Sequence, residues 1–230
     1  MDHEAKVGTI AIIGGTGAEG RGLATRFTDA GRGVIIGSRS PEKARLAAKD
    51  LEKRVPHARI AGMTNEQAAE AGDVIFVTVP YEALTEVTER LSGRVAGKVI
   101  VSTLVPIVYS SVGIYSIPIK EGSAALEMQH LLPEAKVVAA FQTISAKDLV
   151  VPDKELSCDV PVCSDYQDAK EAVMSLVKCV GGVRAIDGGP LENSRYVEGI
   201  TVFLLNINRI YGGIRSGIKI TGIFEPLSED

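Results

Sequence analysis

The chain has 230 residues, 45% of them hydrophobic, and a formal net charge of −4 from 25 Lys plus Arg against 29 Asp plus Glu. That length and apolar content suit one or two buried cores, and the acidic balance excludes a broad cationic footprint for nucleic acid. No apolar run reaches the roughly 18–20 residues of a membrane span, and the opening MDHEAKVG has neither a basic nor an apolar signal region, so a soluble cytoplasmic chain with small-molecule partners is expected.

In chain order, short β-rich runs alternate with helix-like segments. The runs are TIAIIG, GVIIGS, ARIAG, DVIFVTVP, KVIVSTLVP, KVVAAFQ, DVPVCSD and VRAIDGG. Between them stand helix start signals: Ser40-Pro41 pairs a cap with a first-turn proline, and Thr64 with Gln67 has the capping-box spacing. The alternation predicts an α/β architecture with a mainly parallel sheet. A last long segment, NSRYVEGITVFLLNINRIYGG, sets Val197, Ile200, Leu204, Ile207 and Tyr211 near one helical face, which predicts a C-terminal helix packed on the sheet or along a dimer seam.

The first strand runs directly into glycines. Gly15, Gly17 and Gly20 fit G-x-G-x-x-G between a strand and a helix, where glycine permits a tight turn and close approach of a pyrophosphate to the helix N-terminus. Strand, glycines, helix and second strand follow in the required order, so dinucleotide binding is expected. At the end of the second strand, where an NAD site places a carboxylate for the ribose, the chain reads Ser38-Arg39 with Lys43 one turn further. A serine hydroxyl, a guanidinium and an ammonium suit the 2′-phosphate of NADP(H), which an acid would repel.

Ligands of open α/β sheets meet the loops at the carboxyl ends of the strands, which nominates Val77–Ala83 with Pro80, Ser102–Pro106 and Ala140–Ala146 with Gln142. These loops are poor in acid–base groups. His3 is in the tail, His57 in a polar loop and His130 on an expected helix, none of them placed for catalysis. Cys158, Cys163 and Cys179 lack metal-ligand spacing and read as reduced, mostly buried thiols, so no metal is expected. Tyr166 and Lys170 have the Y-x-x-x-K spacing of short-chain dehydrogenases, but no serine stands about a dozen residues before them, and Tyr166 reads as a helix start.

Beyond these features, IIGGTGAEGRGLA, IIGSRSPEKA, GMTNEQAAEAGDVIFVTVPYEA, VSTLVP, VVAAFQTISA, DVPVCSD, GVRAIDGGPLENSRYVEGIT and LLNIN…GIKIT resemble, in order and spacing, the NADP-dependent reductases of coenzyme F420. The resemblance covers nearly the whole chain. It implies a Rossmann-type, doubly wound fold with a small C-terminal helical portion, divided here as residues 1–190 and 191–230, and a homodimer. It also implies hydride transfer between NADP(H) and the 8-hydroxy-5-deazaflavin. Carried over by motif, NADP contacts fall on Thr16, Gly17, Ala18 and Glu19 at the pyrophosphate turn, on Ser38, Arg39 and Lys43, and on Tyr81, Ala83, Thr143 and Ala146. The deazaflavin side falls on Leu104, Val105 and Pro106, on Gln142, and on Ser216 with Gly217. Some members have Trp and His where this chain has Tyr81 and Ala83, His or Asn at Gln142, and Leu at Ser216. Direct hydride transfer between stacked heterocycles needs alignment more than a protein acid, which agrees with loops poor in such groups. Alternatives from the residues are an NADP(H)-binding sensor or electron-transfer module, as in the cytosolic domains of metalloreductases, or a reductase of another small substrate.

Overall fold

A computed structural model describes residues 8–56 and 58–223; His3 and His57 lie outside the described residues. β1 (Ile10–Ile13) leads through α1 (Ala18–Asp29), β2 (Val34–Ser38), α2 (Pro41–Arg54), β3 (Ile60–Thr64) and α3 (Asn65–Ala71) to β4 (Val74–Val77). A 3₁₀ turn, Tyr81–Ala83, then runs into α4 (Leu84–Leu91) and β5 (Val99–Ser102), and a second, Leu191–Asn193, stands later in the chain before the last helix. β6 (Ile107–Tyr109) and β7 (Ile114–Ser116) form a hairpin, followed by α5 (Ala124–Leu131), β8 (Lys136–Ala139) and α6 (Ala146–Leu149). β9 (Cys158–Val162), α7 (Gln167–Val177), β10 (Val183–Asp187) and α8 (Ser194–Ile210) complete the order.

The central sheet has the order β3-β2-β1-β4-β5-β8, and all its neighbours run parallel. β1 is the start of both halves: Ile12 lies opposite Ile36 of β2 on one side and Phe76 of β4 on the other. The crossover direction reverses there, which opens a crevice beyond the carboxyl ends of β1 and β4. Its strands read as continuous apolar runs because helices cover both faces. Alternate residues serve opposite layers: Ile10 and Ile12 join Leu23, Phe27 and Val173 on one face, while Ala11 and Ile13 join Leu84, Leu91 and Met128 on the other.

The start signals act as the sequence indicates. Ser40 Oγ accepts from the Lys43 backbone N–H with Pro41 in the first turn, and Thr64 and Gln67 close a capping box on α3. Tyr166 caps α7, and Lys170 pairs with Asp187 at 2.8 Å rather than with a catalytic tyrosine.

Three features differ from the expectation. β9 and β10 form a separate parallel pair, tied to the main sheet by an antiparallel bridge between Ala139 and Cys163. The β6–β7 hairpin is absent from the sequence reading, because its strands have three residues each, of which only Ile107 and Ile114 are half-buried, too few to set a period of two. On α8, Val197 and Leu204 are buried and Ile200 and Ile207 half-buried, but Tyr211 is exposed, since it falls in the C-cap where the helical face has ended. Another stripe of the same helix, Tyr196, Phe203 and Ile210, is 65%, 64% and 72% exposed. Among the described residues no helix is long and apolar enough to cross a membrane.

Candidate functional site: a cleft at the carboxyl ends of the sheet

The glycine loop joins β1 to α1. Gly14 adopts φ +74°, in the left-handed region that glycine occupies without a Cβ penalty, and Gly15 N–H reaches the carbonyls of Gly37 and Ile12 at 3.0 and 3.2 Å. A Cβ on Gly20 would lie 2.6 Å from Gly15 Cα and 2.8 Å from Thr78 Oγ1, so this glycine lets α1 close onto the ends of β1 and β4. Gly17 is the N-cap of α1 and offers no side-chain cap, leaving the first amides of the helix for an anion. Thr16 is half-buried, and Ala18 begins the helix and borders a shallow apolar depression shared with α2.

The second strand ends as expected. Ser38 is buried and its Oγ accepts from the Ser40 backbone N–H at 3.2 Å, while Arg39 and Lys43 are exposed and form no ion pair among the described residues.

Beyond β4, β5 and β8 the sheet opens into a cleft of about 830 Å³. Its walls bring together Glu19 from α1, Pro80 and Tyr81 after β4, Leu104 and Val105 after β5, Gln142, Thr143 and Ala146 after β8, and Ser216 from the segment following α8. Thr201, Leu204, Leu205 and Asn208 of α8, together with Ile107 and Tyr109 of the hairpin, also line it and were not marked by the sequence. They belong to a helix face and a hairpin whose position depends on tertiary packing, so no local motif announces them. Gly15, Thr16, Gly17, Ala18, Gly20, Ser38, Arg39 and Lys43 lie outside the cleft lining, and so do three residues expected after β4, β5 and α8. Ala83 closes the 3₁₀ turn through its N–H on Pro80 O, buried Pro106 anchors the hairpin by accepting from Ile117 N–H, and Gly217 packs on Cys158.

Gln142 is held from several sides. Phe141 takes φ +73°, an uncommon conformation for a side-chain-bearing residue, and its ring enters the core with Phe76 at 5.6 Å and Phe27 at 6.2 Å between centroids. That turn directs Gln142 to the cleft, where Nε2 donates to Ser102 O at 3.1 Å and its carbonyl accepts from Thr201 Oγ1 at 3.0 Å. Gln142 is 5% exposed, yet among the described residues its Oε1 has no partner, and neither does Ser102 Oγ. An unpaired buried acceptor in a cleft wall is a place for a ligand's donor.

The Tyr81 phenol and the Cys158 and Cys163 thiols are unsuited to proton transfer in the ordinary range. Burial and the neighbouring Glu127 push the Tyr81 phenol up to about 12, and its hydroxyl donates to Glu127 Oε2 at 2.8 Å. Burial pushes the Cys158 and Cys163 thiols up to about 11, and His130 is exposed on α5, outside the cleft lining.

The segment after α8 is tied down at two buried acids. Asp148 pairs with Lys154 at 2.6 Å and with Arg215, and Arg26, itself 5% exposed, donates to the carbonyls of Asp148, Leu149 and Lys154 beside it. Fully buried Asp159 receives both arms of Arg184 at 2.7 Å and the Ile220 N–H at 2.5 Å, while its own N–H donates to Ile218 O. Ser216 N–H donates to Asn208 Oδ1 at 2.8 Å.

Comparison with known proteins agrees with this arrangement. Residues 9–106 match the family model described as NADP oxidoreductase coenzyme F420-dependent. The chain is 40% identical over 223 residues to an F420-dependent NADP reductase of Methanocaldococcus jannaschii, covering 93% of this chain and 98% of that protein. It is 42% identical to one from Methanothermobacter thermautotrophicus, covering 94% and 96%. Identity to the metalloreductase STEAP3 of Rattus norvegicus is 30% over 83% of this chain but 36% of that protein. In fold, a crystal structure of an Arthrobacter sp. FB24 protein superposes with a TM-score of 0.79 at 23% identity, covering 94% of this chain and all of that one. The near full-length likeness at about 40% identity, on a sheet that reverses at a glycine loop, establishes that the chain belongs to the F420-dependent NADP reductase family of oxidoreductases.

Proposed function

We propose that the chain exchanges a hydride between NADP(H) and coenzyme F420, with both held along the carboxyl edge of the sheet. The observation that carries this is one cleft at the carboxyl ends of the strands that brings Glu19, in the first turn after the glycine loop, together with Tyr81, Leu104, Gln142 and Ser216. The residues fit a dinucleotide: Gly20 lets α1 close onto the ends of β1 and β4, the α1 amides are open, and Arg39 and Lys43, exposed at the β2 end and without an ion pair among the described residues, suit a 2′-phosphate. The unpaired Gln142 Oε1 fits a carboxamide or ring N–H, and Leu104 and Val105 supply an apolar wall.

The two coenzymes, when bound, supply the hydride chemistry itself. The protein's part is alignment and exclusion of water. Phe141 and the Ser102 and Thr201 bonds fix Gln142, the Glu127 bond fixes Tyr81, and the Asp148 and Asp159 anchors fix the segment carrying Ser216. In this division residues 1–190 bind the nucleotide and residues 191–230 complete the deazaflavin side. The exposed Tyr196–Phe203–Ile210 stripe, spaced by seven, supports a homodimer through α8, and the family relationship supports a cytoplasmic enzyme.

The test is to mix purified protein with NADPH and oxidised F420 and follow the deazaflavin absorbance. Deuterium on the transferable C4 face of NADPH is expected at C5 of the product. No absorbance change in either direction overturns the reading, and label lost to water overturns direct transfer.

A further inference from the structure

Glu19 is an acid in a site where hydride transfer asks for none. It stands in the first turn of α1, two residues beyond Gly17, and its half-buried side chain lines the cleft with Thr103 after β5 and Gln142 after β8. A dinucleotide with its 2′-phosphate at Arg39 and its pyrophosphate on the glycine loop crosses β1 toward β4 and β5, the side that Glu19 faces.

The other ionisable groups of the cleft are Tyr81 and Glu82 after β4, Tyr109 of the hairpin, Lys147 of α6, Arg209 of α8 and Arg215 beyond it. Tyr81 is bonded to Glu127, Arg209 to the Ser111 carbonyl and Arg215 to Asp148. Burial pushes the Glu19 carboxyl up to about 8, and a hydrogen bond with Thr103 pulls against it. The cleft therefore holds a carboxyl that is neutral near pH 7 and needs little to ionise.

Resting on the NADP(H) reading above, we propose that Glu19 is a proton-coupled partner of the nicotinamide, neutral beside the uncharged reduced ring and ionised beside the cationic oxidised ring. A carboxylate close to a cation is stabilised, whereas beside a neutral ring it pays only the desolvation cost of its site. In the direction that consumes NADPH, the C4–H bond breaks with its electron pair passing to the deazaflavin. The Glu19 O–H bond breaks with its pair staying on the carboxylate, and the proton released matches the one the acceptor takes up along with the hydride. Glu19 thus makes the balance between the two coenzymes depend on pH inside the site.

The experiment measures binding, not turnover. Dissociation constants for NADP⁺ and NADPH are measured from pH 6 to 9 on the intact protein and on Glu19→Gln, with proton release counted by calorimetry in buffers of different ionisation enthalpy. The ratio of the two constants cancels the titration of the 2′-phosphate common to both. For the unsubstituted protein it is expected to shift toward NADP⁺ as pH rises, by up to about tenfold per unit, with a proton released on binding NADP⁺ near pH 7 and none with NADPH. Glu19→Gln should bind both with a flat ratio. A flat ratio and no proton release in the unsubstituted protein overturn the role of Glu19 while leaving dinucleotide binding intact. An unaltered slope in Glu19→Gln does the same, and failure of the unsubstituted protein to bind either coenzyme overturns the NADP(H) reading as well. Should the Gln variant fail to fold, the proton count on the unsubstituted protein decides alone.

Discussion

Under the proposed function, coenzyme choice turns on Arg39. A charge-assisted bond from its guanidinium to a 2′-phosphate is worth roughly 1.5–3 kcal/mol, so Arg39→Ala is expected to weaken NADPH by about 10–150-fold and spare NADH. Equal losses in binding titrations of the two make Arg39 structural. The glycines separate space from fold. A side chain on Gly17 meets only Gly14 O at 3.4 Å, so Gly17→Val is expected to keep the circular dichroism spectrum of the folded chain and abolish dinucleotide binding. Gly20→Ala drives a methyl into Gly15 Cα and is expected to lower stability too, seen as a drop in Tm. The glycine turn and the placement of Arg39 at the end of β2 are legible in the sequence because they follow from a short motif in a fixed strand–turn–helix context. Gln142 is legible only as a loop residue: its orientation comes from the left-handed turn at Phe141, whose ring packs on Phe27 and Phe76, 114 and 65 residues earlier in the chain, a packing fact no local pattern carries.

Among the elements, the segment after α8 shows how buried charge organises irregular backbone. The Arg184 hydrogen bonds hold the Asp159 carboxyl below its ordinary value, despite burial that opposes them. A depressed acid contributes stability above its unfolded pKa of about 3.9 and loses it as pH falls toward the folded value. Below about pH 4 the segment around Ile218 and Ile220 is expected to loosen, read as faster amide exchange of Ile220, whose N–H ends on Asp159. Asp159→Asn should produce that loosening at neutral pH, because it leaves Arg184 with a neutral partner; unchanged exchange would show that backbone pairing alone holds the segment. The strands that build this frame were readable as apolar runs between capped helices, down to the Thr64–Gln67 box. The β6–β7 hairpin was not, since Ile107–Tyr109 and Ile114–Ser116 are held by Asn206, which accepts from Ile114 N–H and donates to its carbonyl across 92 residues.

At the scale of the whole molecule, the exposed stripe of α8 predicts assembly. Tyr196, Phe203 and Ile210 recur every seven residues, and a Cβ on Gly199 in the same helix meets nothing within 4 Å. Sedimentation is expected to find a dimer at micromolar concentration and a monomer for Phe203→Glu; a monomeric unsubstituted protein removes the α8 seam from the account. The order in which the cleft's walls occur along the chain has a consequence for biosynthesis. Glu19, Tyr81, Leu104 and Gln142 are supplied early, whereas Arg215 and Ser216 arrive almost two hundred residues after Glu19. A nascent chain emerging N-terminus first therefore carries most of the cleft wall while still attached to the ribosome, before the segment that bears Arg215 and Ser216 exists. Under the proposed function, NADP(H) is then the coenzyme whose binding loop is made first, and the deazaflavin side is completed last.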